Sequence, residues 1–312
     1  IALMKDQVEN LKNKGIKAEY INSSISRNSI DIILDNCIYG AIKLLYISPE
    51  RIQSELFQKR FLKMNVSFVA IDEAHCISQW GYDFRPSYLE IKKLRDLKPN
   101  LAVIALTATA TKDVVNDIHE KLSIKNKTTI KQSFKRSNLF LELINCENKI
   151  NVVKKLINKN SGIIYVRSRK KAKEISEKLN KIGFSTDFYH AGLDHQTRSI
   201  KQKDWLTEKT KTIVATSAFG MGIDKANVRF VIHYDLPESL ESFYQEAGRA
   251  GRDGKPAYNY LLCKENDTKN LLKNTSSKYP SIEQIKKTYQ QFCNNNQISV
   301  GELPEHSLEV DF

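Results

Sequence analysis

Apolar runs of strand length alternate with helical patterns along this chain, and no other feature restricts its fold as much. Residues 43–47, 66–71 and 101–106 give a first series of runs. Residues 162–166, 184–189, 212–215 and 230–234 give a second. Such runs, separated by helices, read as strands buried in parallel sheets. Val114, Val115, Ile118 and Leu122 fall at helical spacing, with Thr109 or Thr111 as the cap. Ala172, Ile175, Leu179 and Ile182 mark one face of a helix after Ser168, with Gly183 just past its end. The alternation predicts an α/β fold of two similar lobes in tandem.

Residues 125–149 break the pattern: they are polar and basic, apart from a short apolar stretch at 139–144. The expected domains are therefore a first lobe at 1–133, a linker at 134–150 and a second lobe at 151–274. In the remaining region, 275–312, Ile282, Ile285, Tyr289 and Phe292 predict one more helix. The chain opens on Ile1-Ala2-Leu3-Met4, which reads as the end of a strand running into a helix. The expectation is a chain whose amino-terminal part is missing.

Composition narrows the partners. With 312 residues, 41% of them hydrophobic, the chain has room for two packed cores. Its net charge of +13 suits a polyanion, nucleic acid first, although a solvated lysine-rich surface would carry the same charge. The five cysteines are widely spaced without a C-x-x-C, which indicates neither a disulfide framework nor zinc and fits a reducing cytosol. The longest apolar runs are strand-sized, so no membrane segment is expected.

Polar clusters follow the strands: Ser48 to Arg51, Asp72 to His75, Thr107 to Thr109, Arg167-Ser168, His190 to Gly192, Thr216-Ser217 and Tyr234-Asp235. Open α/β sheets bind ligands outside the carboxyl ends of their strands. Asp72 and Glu73 can there hold Mg²⁺ through water and orient a water beside a nucleotide phosphate. The companion phosphate loop, G-x-x-x-x-G-K-[ST], occurs nowhere in the chain. Residues 245–254 set Arg249 and Arg252 among three glycines, on one side of an expected helical turn. Guanidinium groups there suit a developing phosphoryl charge. Trp80, Tyr82, Phe84 and Tyr88 surround Arg85, a composition for stacking on a single strand or for a hydrophobic cluster under a loop. Adjacency to the acidic pair favours stacking. His75 reads as a link to the other lobe. His190 has only its strand-end position in its favour, and Lys5 is a phosphate contact or a solvated lysine equally.

In order along the chain, these residues resemble the RecQ family of superfamily 2 DNA helicases. Residues 1–8 look like motif Ia, 46–51 like motif Ib and 72–75 like motif II. Residues 78–86, Ser-Gln-Trp-Gly-Tyr-Asp-Phe-Arg-Pro, resemble the family's aromatic-rich loop, its most discriminating signature. Residues 105–110 look like motif III, 134–139 like the link into the second lobe, and 165–169, 214–224 and 245–254 like motifs IV, V and VI. The resemblance implies two tandem RecA-like lobes with parallel sheets, the first lacking its P-loop strand, plus a short helical C-terminal segment. ATP would lie between the lobes, with Mg²⁺ on Asp72 through water, Glu73 activating the attacking water and His75 beside it. Arg252 would be the arginine finger with Arg249 next to it, and Gly222, Asp224 and Gln245 would complete the nucleotide site. Single-stranded DNA would meet Lys5, Ser48, Arg51, Trp80, Phe84 and Arg85 on the first lobe and Arg167, Ser168, His190 and Thr216 on the second. Thr107, Thr109 and Gln79 would couple the two sites.

The implied activity is 3′ to 5′ translocation on single-stranded and partially duplex DNA, in recombination and repair, at a cytoplasmic, nucleoid-associated location. Cys263 and Cys293 are isolated, so the zinc module of many relatives is not expected. The phosphate loop would lie before Ile1, and the chain as given is expected to hydrolyse ATP negligibly. Two other readings stand beside this one. An RNA helicase of the DEAD/DEAH type is disfavoured by the aromatic loop. A non-enzymatic DNA-binding or annealing module is disfavoured by the intact acidic pair and arginines.

Overall fold

The computed structural model describes residues 2–296 apart from 23–24, 80–82, 125–126, 134, 158–159, 221–224 and 279. The first lobe runs α1 (Ala2–Asn13), β1 (Ala18–Ile21), α2 (Arg27–Ile38), β2 (Leu44–Ile47), α3 (Glu55–Lys63), β3 (Phe68–Ile71), α4 (Lys92–Leu97), β4 (Ala102–Ala105) and α5 (Lys112–Lys121). The second runs β5 (Leu139–Asn145), α6 (Lys149–Leu156), β6 (Gly162–Tyr165), α7 (Arg169–Asn180), β7 (Thr186–Tyr189), α8 (His195–Leu206), β8 (Thr212–Ala215), β9 (Phe230–His233), α9 (Leu240–Ala247) and β10 (Ala257–Cys263). Helices α10 (Asp267–Lys278) and α11 (Ile282–Asn296) follow. The expected C-terminal helix is α11.

The second lobe is one parallel sheet of six strands in the order β5-β10-β9-β6-β8-β7. Its inner strands β6, β8 and β9 are buried throughout. Side chains alternate between two cores, as a pleated strand requires. Ile163, Ile213 and Val231 belong to one core, and Ile164, Val214 and Ile232 to the other. The apolar stretch at 139–144, expected in the linker, is edge strand β5, paired along its whole length with β10.

The first lobe differs. Its strands form two parallel pairs, β1 with β2 and β3 with β4, and among the described residues the pairs are not bonded to each other. The expected burial of 66–71 is only half realised. Phe68 is 47% and Ile104 46% exposed. The register explains this: Phe68 and Ala70 lie opposite Ala102 and Ile104, so one face of the β3–β4 ribbon is open. The other face, with Ile71, Val69, Val103 and Ala105, packs on the core of Leu34, Phe57, Phe61 and Leu122.

Side-chain caps set the helix starts. Thr111, not Thr109, caps α5 by accepting from the Val114 amide, and Ser168 caps α7 through the Lys171 amide. Ala172, Ile175 and Leu179 are buried as expected, but α7 ends at Asn180, so Ile182 lies past it and is exposed. Among the described residues, no helix is long and apolar enough to cross a membrane.

Candidate functional site

The acidic pair sits in the turn that leaves β3. Leu106 donates to the Ile71 carbonyl (2.8 Å) and Ala74 to the Leu106 carbonyl (2.9 Å), which stitches this turn to the end of β4. Glu73 takes a left-handed backbone, φ 50° and ψ 43°, which costs about 1 kcal/mol in a residue with a Cβ. Asp72 is exposed, and its Oδ1 accepts from the Glu73 amide at 2.9 Å. A solvent-facing carboxylate oxygen set of this kind fits a hydrated Mg²⁺.

Glu73 is pushed above the ordinary glutamate value, first by burial and then by Asp72. Two guanidinium groups oppose this: Arg249, from the other lobe, and Arg85. His75 is buried, with Nδ1 3.1 Å from Thr107 Oγ1 and 3.4 Å from Glu73 Oε2. Thr107 directs its hydroxyl proton to the Thr109 carbonyl (3.0 Å), so its oxygen accepts from the histidine and the proton is assigned to Nδ1. Burial holds His75 below the ordinary histidine value. The ends of β3 and β4 are thereby joined through His75, Thr107 and Thr109.

The aromatic loop is anchored onto the same turn. Trp80 and Tyr82 lie outside the described residues. Before them, Ser78 donates to Asp117 Oδ2 (2.6 Å), and Gln79 is exposed. After them, the Arg85 amide donates to the Cys76 carbonyl (2.9 Å), and its guanidinium donates twice to Asp83 Oδ2 (3.1 and 2.5 Å). Phe84 is half-buried. Tyr88, whose hydroxyl burial pushes up to about 12, donates to the Asp72 carbonyl at 3.2 Å. A phenol from the loop thus bonds the backbone of the acidic pair.

On the second lobe, α9 stops at Ala247, so Arg249 and Arg252 lie in the turn beyond it rather than on a helical turn. Gly248 caps the helix, and Gly251, at φ 58°, turns its amide to the Val228 carbonyl (2.9 Å). Arg249 is half-buried and donates to the Gly220 carbonyl. Gly220, at φ 145°, leaves room for that guanidinium, which a Cβ would strike. Arg252 is exposed. Buried His233 and Glu246, 3.0 Å apart, pin α9 to β9, and half-buried Gln245 sits beside them. Gly222 and Asp224 lie outside the described residues.

The remaining rim residues are mostly tied into local structure. Lys5 is exposed on α1 and pairs with Glu9 at 3.9 Å. Ser48 precedes the 3-10 turn Pro49–Gln53, and Arg51 reaches the Asn22 carbonyl at 3.5 Å. Arg167 donates its amide to Asp235 Oδ2 (2.9 Å) and its Nε to the Leu236 carbonyl (3.0 Å), and its buried Nη2 has no partner among the described residues. Ser168 is spent as a helix cap. His190 leans on Phe188, and burial with Arg169 holds it below the ordinary histidine value. Thr216 is half-buried, its amide on the Tyr189 carbonyl (3.2 Å). The structure brings Asp72, Glu73, His75 and Thr107 together, and the charge of Arg249 acts on Glu73 from the other lobe. It ties Tyr88 of the aromatic loop to the Asp72 backbone and adds Gly220, Glu246 and His233, whose roles no spacing in the sequence announces.

The DEAD/DEAH box helicase family model matches residues 1–118, and the helicase conserved C-terminal domain matches 148–254. The "ATP-dependent DNA helicase RecQ" of Bacillus subtilis (strain 168) is 46% identical over 86% of this chain and 46% of that protein. Its namesake in Pasteurella multocida (strain Pm70) is 42% identical over 92% of the chain and 46% of that protein. The chain thus spans about half the length of these relatives. Among solved structures, the DUF1998 helicase MrfA bound to DNA and AMPPNP superposes with a TM-score of 0.69 at 20% identity, covering 89% of this chain and 42% of that one, a likeness of fold.

Proposed function

We propose that this chain, which belongs to the RecQ family of helicases, forms the ATP-driven motor that moves its protein along single-stranded DNA. The observation that carries this reading is the acidic turn after β3, with Asp72 exposed and Glu73 Oε2 3.4 Å from His75 Nδ1, and with the Arg249 charge of the second lobe lowering the Glu73 carboxyl. A catalytic site divided between two lobes is completed only when they close, so hydrolysis and release alternate with lobe motion. ATP with Mg²⁺ supplies the transferable phosphoryl group, and Asp72 would hold the metal through water.

The chain's own residues do the rest. Glu73, raised toward neutral pH by burial, accepts the proton of an attacking water more readily than an ordinary glutamate. His75 carries a proton on Nδ1 and positions Glu73 against Thr107. Arg249 and Arg252 meet the charge that develops on the phosphoryl oxygens. Phe84 and Arg85 offer a stacking face and a cation to a DNA strand. Tyr88 carries the position of that loop to the backbone of Asp72. Arg167, whose Nη2 makes no hydrogen bond among the described residues, keeps a guanidinium donor that a DNA phosphate would satisfy.

The test is ATPase stimulation by single-stranded DNA against single-stranded RNA, with strand displacement on 3′- and 5′-tailed duplexes, in the full-length protein. The reading predicts stimulation by DNA and unwinding of the 3′-tailed substrate. Preference for RNA would favour a DEAD-type reading, and binding without turnover would favour a non-enzymatic module.

A further inference from the structure

The segment that enters the second lobe reaches back and grips the turn that carries the two arginines. Arg136 donates from Nη1 to the Gly248 carbonyl at 3.0 Å and from Nη2 to the Gly251 carbonyl. Asn138 donates from Nδ2 to the Gly251 carbonyl (2.7 Å) and to the Lys255 carbonyl (2.9 Å). Its own carbonyl accepts from the Ala257 amide (2.9 Å), where β5 begins to pair with β10. These carbonyls bracket Arg249 and Arg252.

The turn needs such support. It follows the last residue of α9 and contains Gly248, Gly251 and Gly254, so its backbone is intrinsically free. The last carbonyls of α9, at Glu246 and Ala247, accept from the Arg249 and Ala250 amides (3.3 and 3.1 Å), and the Arg136 guanidinium takes the carbonyl of the cap residue Gly248, where a cation also complements the helix dipole. On the far side, the Gly251 and Asp253 amides bond the Val228 and Ala226 carbonyls (2.9 and 3.2 Å), and Arg229 pairs with Asp253 at 2.5 Å. The turn is therefore held between the β8–β9 connection and the inter-lobe segment. A displacement of that segment either breaks its bonds or drags the arginines with it.

We propose that Arg136 and Asn138 are positioning residues that hold the Arg249–Arg252 turn against Glu73, and that through them the inter-lobe segment sets whether the arginines are in place. This rests on the motor reading above. Misplacing a catalytic group by about 1 Å can cost on the order of a hundredfold in rate.

The experiment compares full-length protein with its Arg136→Gln, Arg136→Lys and Asn138→Ala variants. Arg136→Gln is expected to lower the kcat of DNA-stimulated ATP hydrolysis by roughly tenfold to a hundredfold. KM for ATP and affinity for single-stranded DNA stay within about twofold. Trapping of ADP with aluminium fluoride is lost, whereas AMPPNP still binds. Arg136→Lys, which keeps the charge but gathers its donors on one nitrogen in place of a planar two-nitrogen fork, and Asn138→Ala show the same split to a smaller extent, and they carry the test if Arg136→Gln does not fold. An unchanged kcat in an active parent overturns this role alone, as does a parallel loss of kcat, nucleotide binding and DNA binding in all three folded variants. A parent that does not hydrolyse ATP overturns the motor reading and this role with it.

Discussion

The acidic pair of the first lobe leaves the carboxyl end of β3, whereas the arginine turn of the second lies beside the amino ends of β9 and β10, and the two sheets are in opposite condition. In the second, six strands form one sheet whose strands β6, β8 and β9 are sealed on both faces, the exposed residues lying toward the β5 edge. In the first, β3 and β4 stand as a pair with one face open. Yet the turn holding Asp72 and Glu73 is well defined. It depends on the bonds to Leu106, on the His75–Thr107 contact and on a core beneath one face. A site can thus be fixed by its turn and one-sided packing, whereas the stability of the lobe around it depends on the sheet.

This contrast predicts graded costs. The largest belongs to Trp205, fully buried in the second lobe, with Nε1 donating to the Gly162 carbonyl (3.2 Å) and Phe219 edge-on. Trp205→Ala should destabilise that lobe by about 3–5 kcal/mol, read from urea unfolding followed by circular dichroism. Next is Gly162→Ala, whose new methyl would enter the Phe230 ring within the packed sheet. About 1–3 kcal/mol is expected there. On the first lobe, Phe68→Ala removes a ring that is already half in water and should cost about 1 kcal/mol or less. A loss at Phe68 matching that at Trp205 would break the comparison, because it would mean the open face is covered in solution.

A smaller effect separates the lobes by pH. His75 lies below its ordinary value of 6.5, because burial disfavours its charged form. The unfolded chain then binds a proton more readily. The stability linked to His75 is complete above pH 6.5 and declines as pH falls below it toward the folded value. Asp83 and Asp72 soften the shift and Arg85 adds to it. His75→Gln should flatten the acid-side fall in first-lobe hydrogen-exchange protection and leave β6 and β8 untouched. An unaltered pH profile would place the proton uptake elsewhere.

What could be read in advance follows from range. Strands β6, β8 and β9 were legible because their residues are apolar on both faces, and the acidic pair was legible because polarity begins abruptly after Ile71. Strand β1 was not, since Ala18-Glu19-Tyr20-Ile21 alternates too briefly to register. Strand β10 hid behind Asn259, a polar residue buried in the sheet, and β5 behind the basic segment that precedes it. Arg249 and Arg252 were recognisable by type, but their place beyond the end of α9 was not, because the helical spacing continues through Gly248. The bonds from Arg136 and Asn138 to that turn, and from Tyr88 to Asp72, join segments distant in sequence, where no periodicity reaches.

In the function proposed above, an acid on the first lobe and an arginine turn on the second complete a single catalytic site. The most direct test is DNA-stimulated ATP turnover by full-length protein carrying Glu73→Gln or Arg252→Ala, with nucleotide affinity measured alongside. Each change alone should reduce turnover by at least about a thousandfold while ATP binding persists. Turnover within tenfold of the parent for either variant would contradict this division of labour.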